Sequence, residues 1–227
     1  MNLDKINFIA STDVISILKK VGAVLTNDHF VYTSGKHGSV YINKDAVYPH
    51  TAETSQIGKL FAEKFKEKDI DVVAAPAVGG TILSQWTAYH LSLIKGKEIL
   101  SVYTEKDKGT LASASESEHI FRRGYDKLVK GKNVLVIEDL TTTGISVKKV
   151  VEAVKAAGGK VVAVGVMVNR DPEHVNSKTV GVPFSALGIL KAEAVDADKC
   201  LLCQNGIPVN SKIGHGKKFL EEKNKTA

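Results

Sequence analysis

Two short, uninterrupted apolar runs, at residues 134–137 and 161–168, leave this chain few ways to fold. A run that is apolar at every position is typical of a β-strand buried on both of its faces. The residues between them, 146–157, are typical of a helix and are followed by Gly158 and Gly159, a common C-terminal stop signal. Strand, helix and strand in this order predict a parallel sheet that is wrapped by helices.

The same alternation of patterns continues along the rest of the chain. The predicted helices cover residues 12–21, a segment beginning at Thr51, and residues 81–93; the predicted strands cover residues 29–32, 40–43, 72–75, 99–103 and 184–190. The polar stretch at residues 104–119 has no regular period, so we expect a long mobile loop there. The fold class is therefore predicted to be α/β, and without a linker we treat residues 1–227 as a single domain.

The composition is that of a soluble globular protein. Of the 227 residues, 43% are hydrophobic and 25% are charged, which is enough apolar material for one substantial core. The longest apolar stretch is far shorter than the ~18 residues that a membrane-spanning helix needs, and the N-terminus lacks the features of a secretory signal. We therefore expect a cytoplasmic protein with no membrane partner. With only two cysteines, Cys200 and Cys203, a disulfide framework is excluded.

The formal charge of the chain is +6, from 31 basic and 25 acidic residues. Such a charge favours anionic partners, either nucleic acid or a small polyanion. The lysines are spread along the chain and aromatic residues make up only 6%, so no basic stripe with interleaved stacking residues is present. We therefore expect no nucleic-acid partner, and we interpret the basic cluster at residues 212–225 as a solvated tail.

The segment from Val134 to Ser146 carries the strongest chemical signal. Two acids, Glu138 and Asp139, follow the apolar strand, and a hydroxyl-rich turn with one glycine then leads into a helix. A helix N-terminus offers unpaired N–H groups and a partial positive charge, so such a turn is suited to hold a phosphate. The acids can accept hydrogen bonds from sugar hydroxyls or hold Mg²⁺. The alternative is that the acids are only solvated and the threonines only cap the helix.

This string resembles the 5-phosphoribosyl-1-pyrophosphate (PRPP) signature of the type I phosphoribosyltransferase family: four apolar residues, two acids, two mostly apolar residues and a Thr/Gly/Ser loop. Thr141 stands where the family usually has an aliphatic residue. The resemblance implies that Glu138 and Asp139 bind the ribose hydroxyls and that the loop binds the 5′-phosphate. The implied PRPP-binding residues are Val78, Gly79, Lys106, Glu138, Asp139, Leu140, Thr141, Thr142, Thr143, Gly144, Ile145 and Ser146.

Other segments are similar to the branch of this family that acts on orotate. They are residues 33–38 with 41–43, 75–80, 122–125 and 200–208, of which 75–80 resembles the pyrophosphate loop. The resemblance implies orotate contacts from Tyr41, Ile42, Thr142 and Arg170, and a planar guanidinium is suited to the carboxylate of that base. It also implies a base-binding N-terminal hood at about residues 1–50, a PRPP-binding core at about 51–190 and a C-terminal extension at about 191–227.

The implied reaction displaces pyrophosphate from C1 of PRPP by a ring nitrogen of orotate, which yields orotidine 5′-monophosphate. Lys106 and Asp139 would be the catalytic residues. PRPP would carry the Mg²⁺, with no direct metal ligand from the protein. The resemblance further implies a homodimer in which the mobile loop is shared across subunits.

Two departures from the family concern the leaving pyrophosphate. Thr33 and the pair Val78 and Gly79 stand where many members have lysines. We expect other basic side chains to supply part of the missing charge. Those available are Lys106, Lys108, His119, Arg122 and Arg123.

The base and the role of the two cysteines are open at this level. The base could be a purine, xanthine or uracil instead of orotate, and the protein could sense PRPP without catalysis. Cys200 and Cys203 could hold zinc with His215 as a third ligand, could act in redox chemistry, or could form a packed structural pair. We favour the packed pair.

Overall fold

The protein is described by a computed structural model over residues 13–32, 34–107, 117–191 and 194–226. The strands are β1 (Val24–Val31), β2 (His37–Ile42), β3 (Val72–Pro76), β4 (Leu100–Lys106), β5 (His119–Phe121), β6 (Asn133–Thr141), β7 (Lys160–Asn169) and β8 (Phe184–Ile189). The helices are α1 (Val14–Lys20), α2 (Thr51–Phe65), α3 (Gly79–Lys95), α4 (Tyr125–Val129), α5 (Ile145–Ala156), α6 (Ser177–Val180), α7 (Leu201–Gln204) and α8 (Gly216–Thr226). None of these helices is long and apolar enough to cross a membrane.

The main sheet within these ranges has six strands in the order β5-β4-β3-β6-β7-β8. The neighbouring pairs β4–β3, β3–β6, β6–β7 and β7–β8 are parallel. At one edge, β5 pairs antiparallel with β4. Parallel neighbours need a crossover connection, which α3 supplies between β3 and β4, and α5 between β6 and β7. The predicted parallel α/β sheet is therefore confirmed, whereas the antiparallel edge strand is not predicted from the sequence.

Strand β6 lies inside the sheet and is apolar on both faces. Leu135 and Ile137 belong to the core built with α1, α2 and α3, whereas Val134 and Val136 belong to the core built with α5. All four side chains are fully buried. Because successive residues of a strand face opposite sides, this double burial explains the uninterrupted apolar run and determines where the next side chains point.

The loop predicted at residues 104–119 is shorter in the structure. Its first residues complete β4 and pair with β5, where Thr104 lies opposite Phe121 and Lys106 lies opposite His119. These strand ends carry polar side chains, as is common at the edge of a sheet, so no apolar alternation marks them in the sequence. Residues 108–116, which include Lys108, lie outside the described residues.

The C-terminal segment packs on a second, two-stranded antiparallel sheet that β1 and β2 form. The backbone N–H of Asn210 donates to the carbonyl of His29 at 2.8 Å. The N–H of His215 donates in the same way to Val31 at 2.9 Å. Much of the basic cluster at residues 212–225 forms α8. Its charged side chains are exposed at Lys212, Lys217, Lys218, Glu221, Glu222 and Lys223, as expected of a solvated segment, but the helix itself was not predicted.

Candidate active site

The two acids of the predicted site lie within β6 and not beyond its end. The strand continues to Thr141, which pairs with Asn169 of β7. The strand predicted to end at residue 137 is therefore too short, because the backbone ladder continues after the apolar run stops. Glu138 consequently points to the α5 side of the sheet and Asp139 to the α3 side, the same alternation that the buried residues before them follow.

Glu138 is buried against the start of α5. Its Oε2 accepts a hydrogen bond from the hydroxyl of Ser146 at 2.8 Å, and its Oε1 accepts one from the backbone N–H of Asp139 at 2.9 Å. Burial, and then the neighbouring charge of Asp139, raise the pKa of Glu138 above its ordinary value. The side chain therefore holds its proton to higher pH than an exposed glutamate does.

Asp139 is the centre of a hydrogen-bond network on the other side of the sheet. Its Oδ2 accepts from Nζ of Lys44 at 2.7 Å and from the hydroxyl of Tyr48 at 2.9 Å. Its Oδ1 accepts from the backbone N–H of Leu140 at 2.6 Å. Asp139 is itself buried, so these donors replace the water that the carboxylate has lost.

Lys44 and Tyr48 are site residues that the sequence analysis missed. Burial alone would lower the pKa of Lys44, but the charge of Asp139 and the hydrogen bond to it raise that pKa. Burial, together with the same carboxylate, raises the pKa of Tyr48, so its hydroxyl remains a donor. Lys44 directly follows the Tyr41-Ile42-Asn43 motif, which is a signal that sequence reasoning could have used. Nothing local to Tyr48 indicates its role.

The predicted pyrophosphate loop lies against this network. Gly79 begins α3, and a Cβ atom at this position would collide with Oδ2 of Asp139 and with the hydroxyl of Tyr48. Only glycine therefore allows the start of α3 to approach the carboxylate so closely. The peptide bond between Ala77 and Val78 is cis. Val78 is 78% exposed, so its side chain is not packed in the core.

The predicted phosphate loop connects β6 with α5. Thr141 is buried, and its hydroxyl oxygen accepts a hydrogen bond from the N–H of Gly144 at 3.1 Å. This contact gives a reason for a threonine where the family usually has an aliphatic residue. Gly144 has a φ of 73°, in the left-handed region that favours glycine, and caps α5. Thr142 and Thr143 are exposed and Ile145 is half exposed, so the turn is open to a ligand.

A cleft of about 220 Å³ lies where these elements meet. The residues that line it are Lys44, Pro76, Ala77, Val78, Gly79, Gly80, Lys106, His119, Glu138, Asp139, Leu140 and Ser146. The cleft thus brings together seven of the predicted site residues, from three separate parts of the chain. The other eight predicted site residues are not among its lining residues: Tyr41, Ile42, Thr141, Thr142, Thr143, Gly144, Ile145 and Arg170.

The basic side chains expected to face pyrophosphate are not equivalent in the structure. Lys106 is exposed and lines the cleft. His119 is buried and its Nδ1 lies 2.9 Å from the hydroxyl of Thr104; burial, followed by the charges of Lys106 and Lys149, lowers the pKa of His119 to about 4. His119 is therefore neutral near pH 7 and contributes a polar ring and not a charge.

Arg122 and Arg123 are engaged with acids of the β4 segment. A guanidinium nitrogen of Arg122 lies 3.0 Å from Oδ1 of Asp107, and Arg123 pairs with Glu105. Exposed ion pairs of this kind are weak, about 0–1 kcal/mol, so either arginine can be released to a phosphate ligand. A contribution of these arginines to pyrophosphate binding stays a prediction.

Arg170 lies just beyond β7, next to the phosphate loop. Its backbone N–H donates to the carbonyl of Thr141 at 2.9 Å, and its guanidinium carbon lies 4.5 Å from the centre of the Tyr32 ring. Its Nε is buried and has no hydrogen-bond partner among the described residues. Stacking on an aromatic ring leaves the edge of a guanidinium free for a planar acceptor. Tyr32 is a further residue that the sequence analysis did not single out.

The two remaining base-facing predictions differ in their surroundings. Tyr41 is half-buried, with its ring 5.4 Å from that of Phe30. Ile42 is buried in the hydrophobic core with α1, α2 and α3, so its side chain is committed to packing. A contact from Ile42 to a ligand would have to come from its backbone, and both assignments stay predictions.

The carboxylates at this edge do not form a ready-made magnesium site. Each carboxylate oxygen of Glu138 and Asp139 already accepts a hydrogen bond from the protein. Mg²⁺ prefers a nearly octahedral set of oxygen ligands and keeps several waters or substrate phosphates. The donor set therefore fits a metal that enters with a phosphorylated substrate better than one held by the protein alone.

Comparison with known proteins agrees with this geometry. The phosphoribosyl transferase domain matches residues 43–182. An orotate phosphoribosyltransferase of Thermoanaerobacter sp. (strain X514) is 36% identical over 197 residues, covering 87% of this chain and 94% of that protein. The orotate phosphoribosyltransferase of Thermotoga maritima is 35% identical over 203 residues, which cover 89% of this chain and 98% of that protein.

Among solved structures, the orotate phosphoribosyltransferase of Mycobacterium tuberculosis in complex with inorganic phosphate has a TM-score of 0.60. Its sequence is 22% identical, and the match covers 79% of this chain and 96% of that one. At this identity the structural match supports the fold, while the sequence relatives support the family. The chain therefore belongs to the phosphoribosyltransferase family.

Proposed function

We propose that this protein transfers the phosphoribosyl group of PRPP to orotate, giving orotidine 5′-monophosphate and pyrophosphate. The observation that carries the proposal is the meeting of two buried acids, a glycine-dependent loop and Ser146, the last residue of the predicted phosphate turn, in one cleft. The names of the curated relatives, which match most of this chain, support orotate as the base.

The ribose of PRPP is assigned to Glu138 and Asp139. Two acids on opposite faces of one strand edge can accept hydrogen bonds from two different hydroxyls. Departure of pyrophosphate leaves positive charge on the sugar ring, and the nearby Asp139 carboxylate stabilises that charge in the transition state. Lys44 and Tyr48 act as positioning residues, since they hold the Asp139 carboxylate at 2.7 and 2.9 Å.

The phosphate groups of PRPP are assigned to two helix starts. The 5′-phosphate would bind the turn at residues 142–146, where N–H and hydroxyl groups precede α5. The pyrophosphate would bind near Val78 and Gly79, at the start of α3, with Lys106 as the exposed lysine of the cleft lining. Mg²⁺ would enter with PRPP, and when bound it supplies charge neutralisation for the leaving group.

The base is assigned to Arg170, which lies next to the phosphate loop. Its guanidinium, supported on the Tyr32 ring, offers paired N–H donors to a planar carboxylate such as that of orotate. Thr142 directly follows Thr141, whose carbonyl accepts the Arg170 N–H, and we assign its hydroxyl to the base as well. Tyr41 and Ile42 complete the predicted base contacts.

We further propose a cytoplasmic homodimer and a single domain. The division into a hood, a PRPP-binding core and a C-terminal extension follows the resemblance to the family. The mobile loop predicted at residues 104–119 would serve the neighbouring active site. These assignments are tested by the sedimentation of the purified chain and by mixing two inactive variants, one changed at Lys106 and one at Asp139. Restored activity would support a shared loop, whereas no restoration would contradict it and assign Lys106 to the cleft of its own chain, which it lines.

The function is tested by measuring pyrophosphate release and nucleotide formation with PRPP, Mg²⁺ and a panel of bases. Orotate should be the preferred substrate over uracil, adenine, hypoxanthine and xanthine, and reactions without a base should release little pyrophosphate. A preference for another base would overturn the orotate assignment. Tight PRPP binding without turnover on any base would instead favour a PRPP sensor.

A further inference from the structure

Four metal-ligating side chains from distant parts of the chain converge outside the active-site cleft. His29 lies in β1, and His37 is the first residue of β2. Cys200 directly precedes α7, and Cys203 lies within that helix. One ligand atom from each lies within 4.8 Å of the others. Three of the four residues are buried and Cys203 is half-buried, and none of them lines the cleft that holds Asp139.

The distances among these atoms are close to the edges of a tetrahedral site. Nε2 of His29 lies 3.6 Å from Sγ of Cys200 and 3.7 Å from Sγ of Cys203. Nδ1 of His37 lies 3.4 Å from Sγ of Cys203. With Zn–S of about 2.3 Å and Zn–N of about 2.0–2.1 Å, a tetrahedron has N···S edges of about 3.6 Å.

The two imidazole nitrogens are closer together than a bound metal would place them. Nε2 of His29 and Nδ1 of His37 are 2.8 Å apart, whereas the N···N edge of a zinc tetrahedron is about 3.3 Å. Opening this contact by about 0.5 Å, a small side-chain rotation, would bring it to the zinc value, and the two remaining ligand pairs lie within 4.8 Å. The three N···S distances given above already fit.

The orientation of His29 also suits a metal ligand. Its Nδ1 lies 2.8 Å from the carbonyl oxygen of Ile207, an acceptor that requires the Nδ1–H tautomer. Nε2 then carries the lone pair and faces the cysteines. Metal-ligating histidines commonly donate their other ring N–H to a backbone carbonyl in this way, which fixes the ring and raises its basicity.

His37 is fully buried and makes its polar contacts on the cluster side of its ring. Its ring packs edge-on against Phe219 of α8 at 4.6 Å, and its Nε2 has no hydrogen-bond partner among the described residues. A simple hydrogen bond between the two histidines is the competing explanation. It would use the lone pair of His29 but would leave both thiols beside it without a function.

We propose that His29, His37, Cys200 and Cys203 bind one structural Zn²⁺ in a closed Cys₂His₂ site. All four positions are occupied by protein ligands, which is the arrangement of structural and not catalytic zinc. The prediction that Cys200 and Cys203 form only a packed pair then gives way to a metal site. Its histidines are not His215, the third ligand considered from the sequence.

The place of the site in the fold explains what the metal would do. A two-stranded sheet such as β1–β2 is marginally stable by itself, and a metal that joins it to the C-terminal segment would hold both together. The ring of Tyr32 lies against the guanidinium of Arg170. Tyr32 directly follows β1, the strand that contains His29. The zinc would therefore keep the proposed base-binding side of the cleft in place without touching the substrate.

The first test is the metal content of the full-length protein, purified under reducing conditions without a histidine tag. We expect one zinc per chain, and X-ray absorption should show two sulfur ligands at about 2.3 Å and two nitrogen ligands at about 2.0–2.1 Å. The double variant Cys200→Ser/Cys203→Ser should lose the zinc. The control variant His174→Gln, which changes an exposed histidine paired with Asp171, should keep it.

A second measurement on the unmodified chain covers the case in which the double variant does not fold. Removing zinc with a chelator should lower the melting temperature and expose both thiols to Ellman's reagent, and adding Zn²⁺ should reverse both effects. The proposal is overturned if the reduced protein binds no zinc, if the thiols react equally with and without it, or if a folded double variant retains one zinc per chain. None of these outcomes depends on which base the enzyme uses.

Discussion

Nζ of Lys44 lies 2.7 Å from Oδ2 of Asp139, although 95 positions separate the two residues in the chain. The aspartate is buried and the lysine is about one-third exposed, so the pair closes one side of the cleft. A ribose hydroxyl that binds Asp139 must share this carboxylate with the lysine or displace it.

Replacing Asp139 with Asn should reduce kcat/KM by about 10²–10³-fold, because the transition state loses a stabilising charge. Lys44 and Tyr48 would also lose their charged acceptor. Steady-state kinetics with varied PRPP measures the effect, and circular dichroism checks the fold. Glu152→Gln, which removes an exposed acid on α5, is the matched control and should leave the rate unchanged. A fully active Asp139→Asn enzyme would contradict the ribose assignment.

Replacing Gly79 with Ala should impair PRPP binding, because the added methyl group collides with Asp139 and Tyr48. Overpacking of this kind typically costs about 1–3 kcal/mol, and here it would displace the carboxylate network. The KM for PRPP and the midpoint of urea unfolding report the two effects. Leu93→Ala, an exposed position near the other end of α3, should change neither value appreciably. Unchanged PRPP affinity in Gly79→Ala would argue that the loop does not approach the ligand.

The free energy of unfolding should depend on pH through Glu138. Its pKa is raised in the folded protein by burial and by Asp139, so above the ordinary value of 4.5 the folded state binds more protons than the unfolded state. The contribution of Glu138 to stability therefore falls as pH rises from 4.5 towards the raised pKa, by up to about 1.4 kcal/mol per pH unit.

Replacing Glu138 with Gln should remove this pH dependence and keep a hydrogen bond with Ser146. Urea unfolding of both proteins at several pH values measures it, and the stability of Glu138→Gln relative to the unmodified protein should increase with pH across that range. The difference between the two proteins cancels the titration of groups that they share. A constant difference at every pH would show that Glu138 is not held protonated.

Replacing Arg170 with Ala should raise the KM for orotate by about 10- to 100-fold, since hydrogen bonds to charged groups contribute about 1.5–3 kcal/mol. The KM for PRPP should change much less. Arg170→Lys should recover only part of the loss, because an ammonium lacks the planar pair of donors. Lys178→Ala, on α6, is the control for a general loss of positive charge. An equal rise in both KM values would contradict the base-reading role.

The periodicity of the sequence was sufficient for the α/β class and for most of the elements. The run at residues 134–137 and the following acids also located the site, because a strand edge next to a helix start is a local arrangement. The edge strand β5 was not predicted, since its three residues gain their structure from pairing with β4. Thr141 shows the same limit, because only the structure reveals that its hydroxyl oxygen accepts a hydrogen bond from the N–H of Gly144.

Local pattern thus decided the class of fold, the order of its elements and the stretch of chain proposed to bind a phosphate, because each depends on neighbours within a few residues. The tertiary structure alone decided that Lys44 and Tyr48 hold Asp139, and that His29 and His37 meet Cys200 and Cys203. Such contacts join residues far apart in the chain. Their existence depends on how strands and loops pack in three dimensions, and periodicity does not contain that information.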